Sequence, residues 1–90
     1  MSSVIMHPED LEQFARDLQQ FNADLDNAMN RLRARLNTLG QTWRDPQYSQ
    51  FAHEMDQTTL ALRRFTAATG EFVPYLQRKA AAGRAARDGR

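Results

Sequence analysis

No glycine or proline lies between Pro8 and Gly40, nor between Pro46 and Gly70. Two stretches that long, free of the residues that punctuate regular structure, leave little but long helices for the chain to form. Pro8 suits a first helical position, where its missing N–H costs nothing, and Glu9 and Asp10 then meet the positive end of the helix dipole. From there Leu11, Leu18, Leu25, Leu32 and Leu39 recur every seven residues, with Phe14, Phe21 and Ala28 three residues after the first three of them. The companion series then changes side to Met29, Leu36 and Trp43, so the stripe broadens, and Arg35 stands at an otherwise apolar position. This spacing predicts helix 1 over about 8–39.

Gly40 fits a helix C-terminus, and Asp45-Pro46 reads as an N-cap followed by a first-turn proline, which makes 40–45 a turn. Tyr48, Phe51, Met55, Thr58, Leu62, Phe65, Thr69, Phe72 and Leu76 then alternate steps of three and four, predicting helix 2 over about 46–79. Pro74 stands four residues after Gly70 and removes one helical hydrogen bond, so a kink is expected near 70–74. The two helices make a hairpin over 1–79. The sequence after Lys79, AAAGRAARDGR, has no large apolar side chain and is expected to be a basic flexible tail over 80–90.

Charge gives the hairpin its sense. Helix 1 opens acidic (Glu9, Asp10, Glu12, Asp17, Asp24, Asp26) and closes basic (Arg31, Arg33, Arg35), and helix 2 repeats that order from Asp45, Glu54 and Asp56 to Arg78 and Lys79. Antiparallel packing therefore lays opposite charges side by side, whereas parallel packing would oppose like charges. The fold class expected is all-α, an antiparallel helix-turn-helix hairpin. One mutual seam between two helices cannot cover so wide an apolar stripe, and without a disulfide or metal a domain this small needs another staple. Dimerisation into an elongated four-helix bundle is the expectation. Its core and dimer seam is drawn from Leu11, Phe14, Leu18, Phe21, Leu25, Leu32, Leu36, Phe51, Met55, Leu62, Phe65 and Phe72.

Composition removes most chemistries. At 90 residues the chain has room for one small domain, and with no cysteine it has no disulfide framework, thiolate metal site or thiol nucleophile. A net charge of +1 argues against a dominant polyanion-binding surface. No apolar run is long enough to cross a bilayer, and Met1 to His7 carries no cleavable secretory signal. A soluble cytoplasmic chain is expected, with any export left to a dedicated machine. His53-Glu54 begins like a zinc-protease helix but has Gln57 where the second ligand belongs, so no metal site is expected. Ser2, Ser3 and Ser49 have no histidine and acid arranged around them, and the acids of helix 1 scatter over its polar face. Neither a catalytic residue nor a cofactor site is expected, and the chain reads as a non-enzyme.

The layout around the turn, HPEDLEQFARDL, a leucine-spaced run and LGQTWRDPQYSQF before a second amphipathic helix, resembles the Trp-x-Gly (WXG) family of type VII, or ESX, secretion substrates. The resemblance spans about residues 4–79 and centres on Trp43 at mid-chain. The motif reads Trp43-Arg44-Asp45, with Asp in place of glycine; Asp45-Pro46 can start a helix tightly by another route. The family's Tyr-x-x-x-Asp/Glu export signal has no match, since Tyr75 is followed by Lys79 and Tyr48 by Ala52. The resemblance implies a dimeric hairpin, pairing with itself or a related hairpin, that serves as substrate, escort or structural component of a type VII-like system near an FtsK-type ATPase. It also implies that Trp43, Arg44, Asp45 and Tyr75 touch partners. Trp43 alone also reads as a lid on the hairpin end, packed on Leu39 and on Tyr48 or Phe51. Two alternatives stand beside this reading. One is a small nucleic-acid-associated dimer using the basic tail (Arg78, Lys79, Arg84, Arg87, Arg90), and the other a coiled-coil adaptor of an unrelated assembly.

Overall fold

The computed structural model describes residues 7–88, and the expectations for 1–6 and for the last two residues of the tail lie outside them. The chain is an all-α antiparallel hairpin: α1 (Pro8–Leu39), α2 (Pro46–Gly70) and α3 (Phe72–Asp88), with no strand among the described residues. It is a rod of 68 × 25 × 15 Å. Pro8 occupies the first turn of α1, whose leading amides reach back to the His7 carbonyl from Asp10 (2.9 Å) and Leu11 (3.3 Å). Asp45 caps α2, its carboxylate accepting from the Gln47 amide at 2.6 Å.

Helix 2, expected as one element over 46–79, is divided at Glu71 into α2 and α3. Glu71 keeps right-handed dihedrals (φ −68°, ψ −22°), so the chain runs on with one residue outside the hydrogen-bonded ladder. The cause is Pro74, which has no N–H to offer the Gly70 carbonyl and whose ring crowds it. Placed in the first turn of α3, the proline leaves no donor unmet.

The expected tail without tertiary contacts is corrected for residues 80–88. They continue α3, Ala80 is fully buried, and Arg84 and Arg87 pair with acids at the start of α1. Small side chains are what allow this. The buried or half-buried positions of α1 near this end are Pro8, Leu11, Glu12, Ala15 and Leu18, and those of α3 are Val73, Leu76, Ala80, Gly83 and Arg84. Alanine on both sides, with Gly83 on α3, lets α1 run closer to α3 than to α2.

The seam expected as one stripe resolves into two faces. Inside the hairpin lie Leu11, Ala15, Leu18, Asn22, Leu25, Met29 and Leu36 of α1, against Tyr48, Ala52, Met55, Thr59, Leu62, Thr66, Thr69, Val73, Leu76 and Ala80. Steps of three and four run through the second set without a break. Phe14, Phe21, Leu32, Phe51, Phe65 and Phe72 are not in this core but exposed on the other face, from 43% at Phe65 to 56% at Phe14. The reason is steric: two helices alone pack closely when the residues between them are small, and a phenylalanine there would hold the backbones apart. Thr58, taken as a knob of the seam, is likewise exposed, while its neighbour Thr59 is buried with its hydroxyl bonded to the Met55 carbonyl at 2.8 Å. At mid-hairpin Asn22 Nδ2 donates to Thr69 Oγ1 (3.0 Å) and to the Thr66 carbonyl (3.5 Å), and Thr69 Oγ1 donates to the Phe65 carbonyl (2.7 Å). This polar lock opposes register slip between otherwise repetitive helices.

Candidate functional site

Two features can meet a partner: the turn end, and the broad face carrying the phenylalanines. At the turn, the amides of Gly40 and Trp43 reach back to the carbonyls of Leu36 and Leu39, each at 2.9 Å, closing α1. Gly40 has right-handed dihedrals (φ −64°, ψ −15°), so it is not there for a left-handed cap. What it provides is space, since a Cβ at this position would run into the ring and hydroxyl of Tyr48. Tyr48 in turn meets the Trp43 indole edge-on, with ring centroids 5.3 Å apart at 74°. Trp43 is half-buried, and its open side shares a shallow hollow with Gln47, Gln50, Phe51 and Glu54.

Arg44 and Asp45 are exposed. Arg44 bonds the Gln41 carbonyl at 3.3 Å, and Asp45 is engaged in capping α2. Tyr75 is exposed on α3 beside Phe72, their centroids 6.4 Å apart. A single chain does not bring Trp43 and Tyr75 together, because all of α2 lies between them, roughly 37 Å at 1.5 Å per residue.

On the broad face Phe21 and Phe65 touch edge to face, with centroids 6.1 Å apart at 78°, so the aromatic columns of α1 and α2 adjoin. All five phenylalanines of the chain are on this face and none is buried. No large side chain among the described residues is fully buried. Exposed aromatic side chains grouped in this way are the kind of surface on which proteins associate.

At the open end of the rod a clasp joins α1 to α3. Arg87 grips Glu9 with both guanidinium nitrogens, Nη2 to Oε2 at 2.7 Å and Nη1 to Oε1 at 3.3 Å. Arg84 bonds Glu12, and its Nε lies 3.9 Å from Glu9. The hydrogen bond from Arg87, reinforced by the backbone bond at its own helix start, pulls the Glu9 carboxyl down to about 2. Glu12 is lowered by its bond to Arg84. Reading the segment after Lys79 as unpacked missed this clasp; the signal for it was the same acid-to-base order along both helices that set the hairpin's sense. Among the described residues no group of three or more histidines and acids is placed to hold a metal ion.

No curated protein sequence matches the chain. Among solved structures it is similar to the secreted protein EsxB of Bacillus anthracis strain Sterne. The selenomethionine-labelled form gives a TM-score of 0.79 at 23% identity over 98% of this chain and 100% of that one. The wild-type form in space group P21 gives 0.78 at 24% identity, over 93% and 97%. At that identity the likeness speaks for the fold, and it spans the whole hairpin. Residues 3–84 match the family described as WXG100, proteins of 100 residues with WXG. The chain belongs to the WXG family.

Proposed function

We propose that this chain is a non-enzymatic protein–protein interaction module, a substrate, escort or structural component of a type VII-like secretion system, made in the cytoplasm and exported by that machine. The observation that carries the reading is that every phenylalanine is exposed, outside a hairpin seam made of leucine, methionine, alanine and threonine. Such a face fits a second hairpin, its own copy or a related one, completing a four-helix bundle. The secreted EsxB structures support a role in export. The Trp43 turn, with Arg44 and Asp45, and the Tyr75 surface are the elements left for an FtsK-type ATPase once the broad face is covered.

The nucleic-acid alternative has less to work with, because Arg84 and Arg87 of its five cations are committed to Glu12 and Glu9. An adaptor role elsewhere would use the same broad face, and export separates it. A tagged chain expressed in a host with a type VII system is expected in the medium, and to be retained in the cell when the system's ATPase is deleted. Trp43→Ala is expected to stay inside while keeping its assembly state by light scattering. Release that ignores the ATPase, or no release at all, overturns the secretion reading.

A further inference from the structure

We propose that α3 is a strap: it undocks from α1 as one unit at the Gly70–Glu71 step while α1 and α2 stay closed, and once open it offers a basic segment to an acidic protein surface. The rod carries the three parts of such a device, a pivot, a stop on one side of it and a latch at the far end. The pivot is the break between α2 and α3. Glu71 stands outside the helical ladder, Pro74 has no N–H to return to the Gly70 carbonyl, and a Cβ at Gly70 would meet nothing within 4 Å, so no neighbouring side chain props the step. The stop lies just before it. Asn22 of α1 donates to the Thr69 hydroxyl at 3.0 Å and to the Thr66 carbonyl at 3.5 Å. These bonds fasten the last turn of α2 to α1 and end any opening that begins in α3.

The latch is the clasp of Arg84 on Glu12 and of Arg87 on Glu9. Between pivot and latch the hold on α1 thins out. Val73 and Leu76 are the last large aliphatic side chains of α3 turned toward α1, and beyond them only the Ala80 methyl, Gly83 and part of Arg84 are covered. Close as that contact is, it removes little apolar surface from water, so the charge pairs decide whether the end of α3 stays down. Exposed pairs of this kind are individually weak and are screened by salt. A helix of 17 residues without a neighbour is marginal in water, so an undocked strap also loses helix. The device works whatever covers the broad face, since Phe72, the last phenylalanine of that face, stands beside the pivot. The partner's chemistry follows from which side of the latch moves. Glu9 and Glu12 stay behind on α1, and the moving arm carries Arg78, Lys79, Arg84 and Arg87 against Asp88, with Val73 and Leu76 uncovered along it. Such an arm fits a surface that is acidic and offers an apolar contact. That surface opens the latch by competing with Glu9 and Glu12 for the two arginines.

Native-state hydrogen exchange on the full chain tests the device. The amides of Leu76 to Gly83 are expected to share one opening constant, larger than that of mid-α1 and mid-α2, with a step at Glu71. An opening that instead climbs smoothly from Leu76 to Asp88 is fraying from the end and overturns the unit, and an opening equal to that of α2 leaves no strap. Glu9→Gln combined with Glu12→Gln is expected to raise the opening of α3 about fivefold and to leave the amides of Met55 to Leu62 unchanged. An equal rise in both segments overturns the separation of α3 from the hairpin. Asn22→Ala is expected to move the step back into α2, so that Thr66 to Gly70 open together with α3; a step that stays at Glu71 overturns the stop. At constant ionic strength a poly-glutamate peptide is expected to raise the opening of α3 in the unsubstituted chain. A response to poly-lysine or to duplex DNA but not to poly-glutamate overturns the acidic protein partner.

Discussion

Gly40 and Gly70 close successive helices with the same right-handed backbone, yet substitution should move them in opposite directions. At Gly40 a methyl group meets the Tyr48 ring and hydroxyl, so the tyrosine must swing out, losing its edge contact with Trp43 and its 3.5 Å approach to the Leu36 carbonyl. Overpacking of this kind costs about 1–3 kcal/mol. Gly40→Ala is therefore expected to lower the thermal midpoint and to shift the emission of Trp43, the chain's single tryptophan, to the red. At Gly70 a Cβ meets nothing within 4 Å. Here the substitution only removes backbone freedom from the unfolded chain, and Gly70→Ala is expected to stabilise by about 0.5–1 kcal/mol in thermal or urea unfolding. A common sign for the two variants would mean that Tyr48 is not where the turn places it.

Among the elements, α3 differs most from expectation, and its clasp gives it a pH dependence. Glu9 has its carboxyl held at about 2 by Arg87, below the ordinary carboxylate value of 4.5, and Glu12 is lowered by Arg84. For a depressed carboxylate the contribution to stability is complete above the unfolded value and is lost as pH falls through the folded one. Carbon chemical shifts of Arg84 to Asp88 are thus expected to move toward coil values between about pH 4.5 and 2, earlier than those of α2. Because the pairs are exposed, ~1 M salt is expected to produce part of the same change at neutral pH. Removing residues 80–90 is expected to lower the thermal midpoint, since it uncovers the surface under Ala80 as well as deleting both arginines. The helices, the turn and their antiparallel sense were legible in the chain because Pro8, Pro46, Gly40 and the charge order speak locally. Of the expected seam, Leu11, Leu18, Leu25, Leu36, Met55 and Leu62 do face inward; that the phenylalanines do not was hidden, because apolarity ranks phenylalanine above alanine and threonine while close helix pairing prefers the reverse. Ala15, Ala52, Thr59, Thr66 and Ala80 show that preference once their spacing is read for small residues. The packed end of α3 was hidden for the same reason, an alanine-rich segment reading as empty when it is tight. At the turn, Trp43 and Asp45 could be picked out by residue type and position, whereas the fit of Gly40 against Tyr48 depends on tertiary approach and left no mark on local pattern.

At the scale of the whole molecule, the hairpin closes on aliphatic and small residues and leaves its phenylalanines exposed, so folding and assembly should be separable by mutation. Leu25 and Phe65 make the comparison, since both are mid-rod apolar residues at about the same level. Leu25 is half-buried in the hairpin and lines a narrow cleft between the helices with Leu62 and Thr66, so an aspartate there would sit unpaired between the helices. That costs several kcal/mol, against the roughly 3–5 kcal/mol that a single core of this size supplies. Leu25→Asp is expected to lose both helix content and association. Phe65 is 43% exposed and touches Phe21 only at its edge. Phe65→Asp is expected to keep the helical signal of the hairpin, with charge simply directed to solvent, while sedimenting as a monomer, because the charge would fall within the apolar face proposed for assembly. Circular dichroism and sedimentation on the same two samples decide it. Equal loss of helix in both would mean that the hairpin has no stability of its own and that the four-helix assembly is the true folding unit.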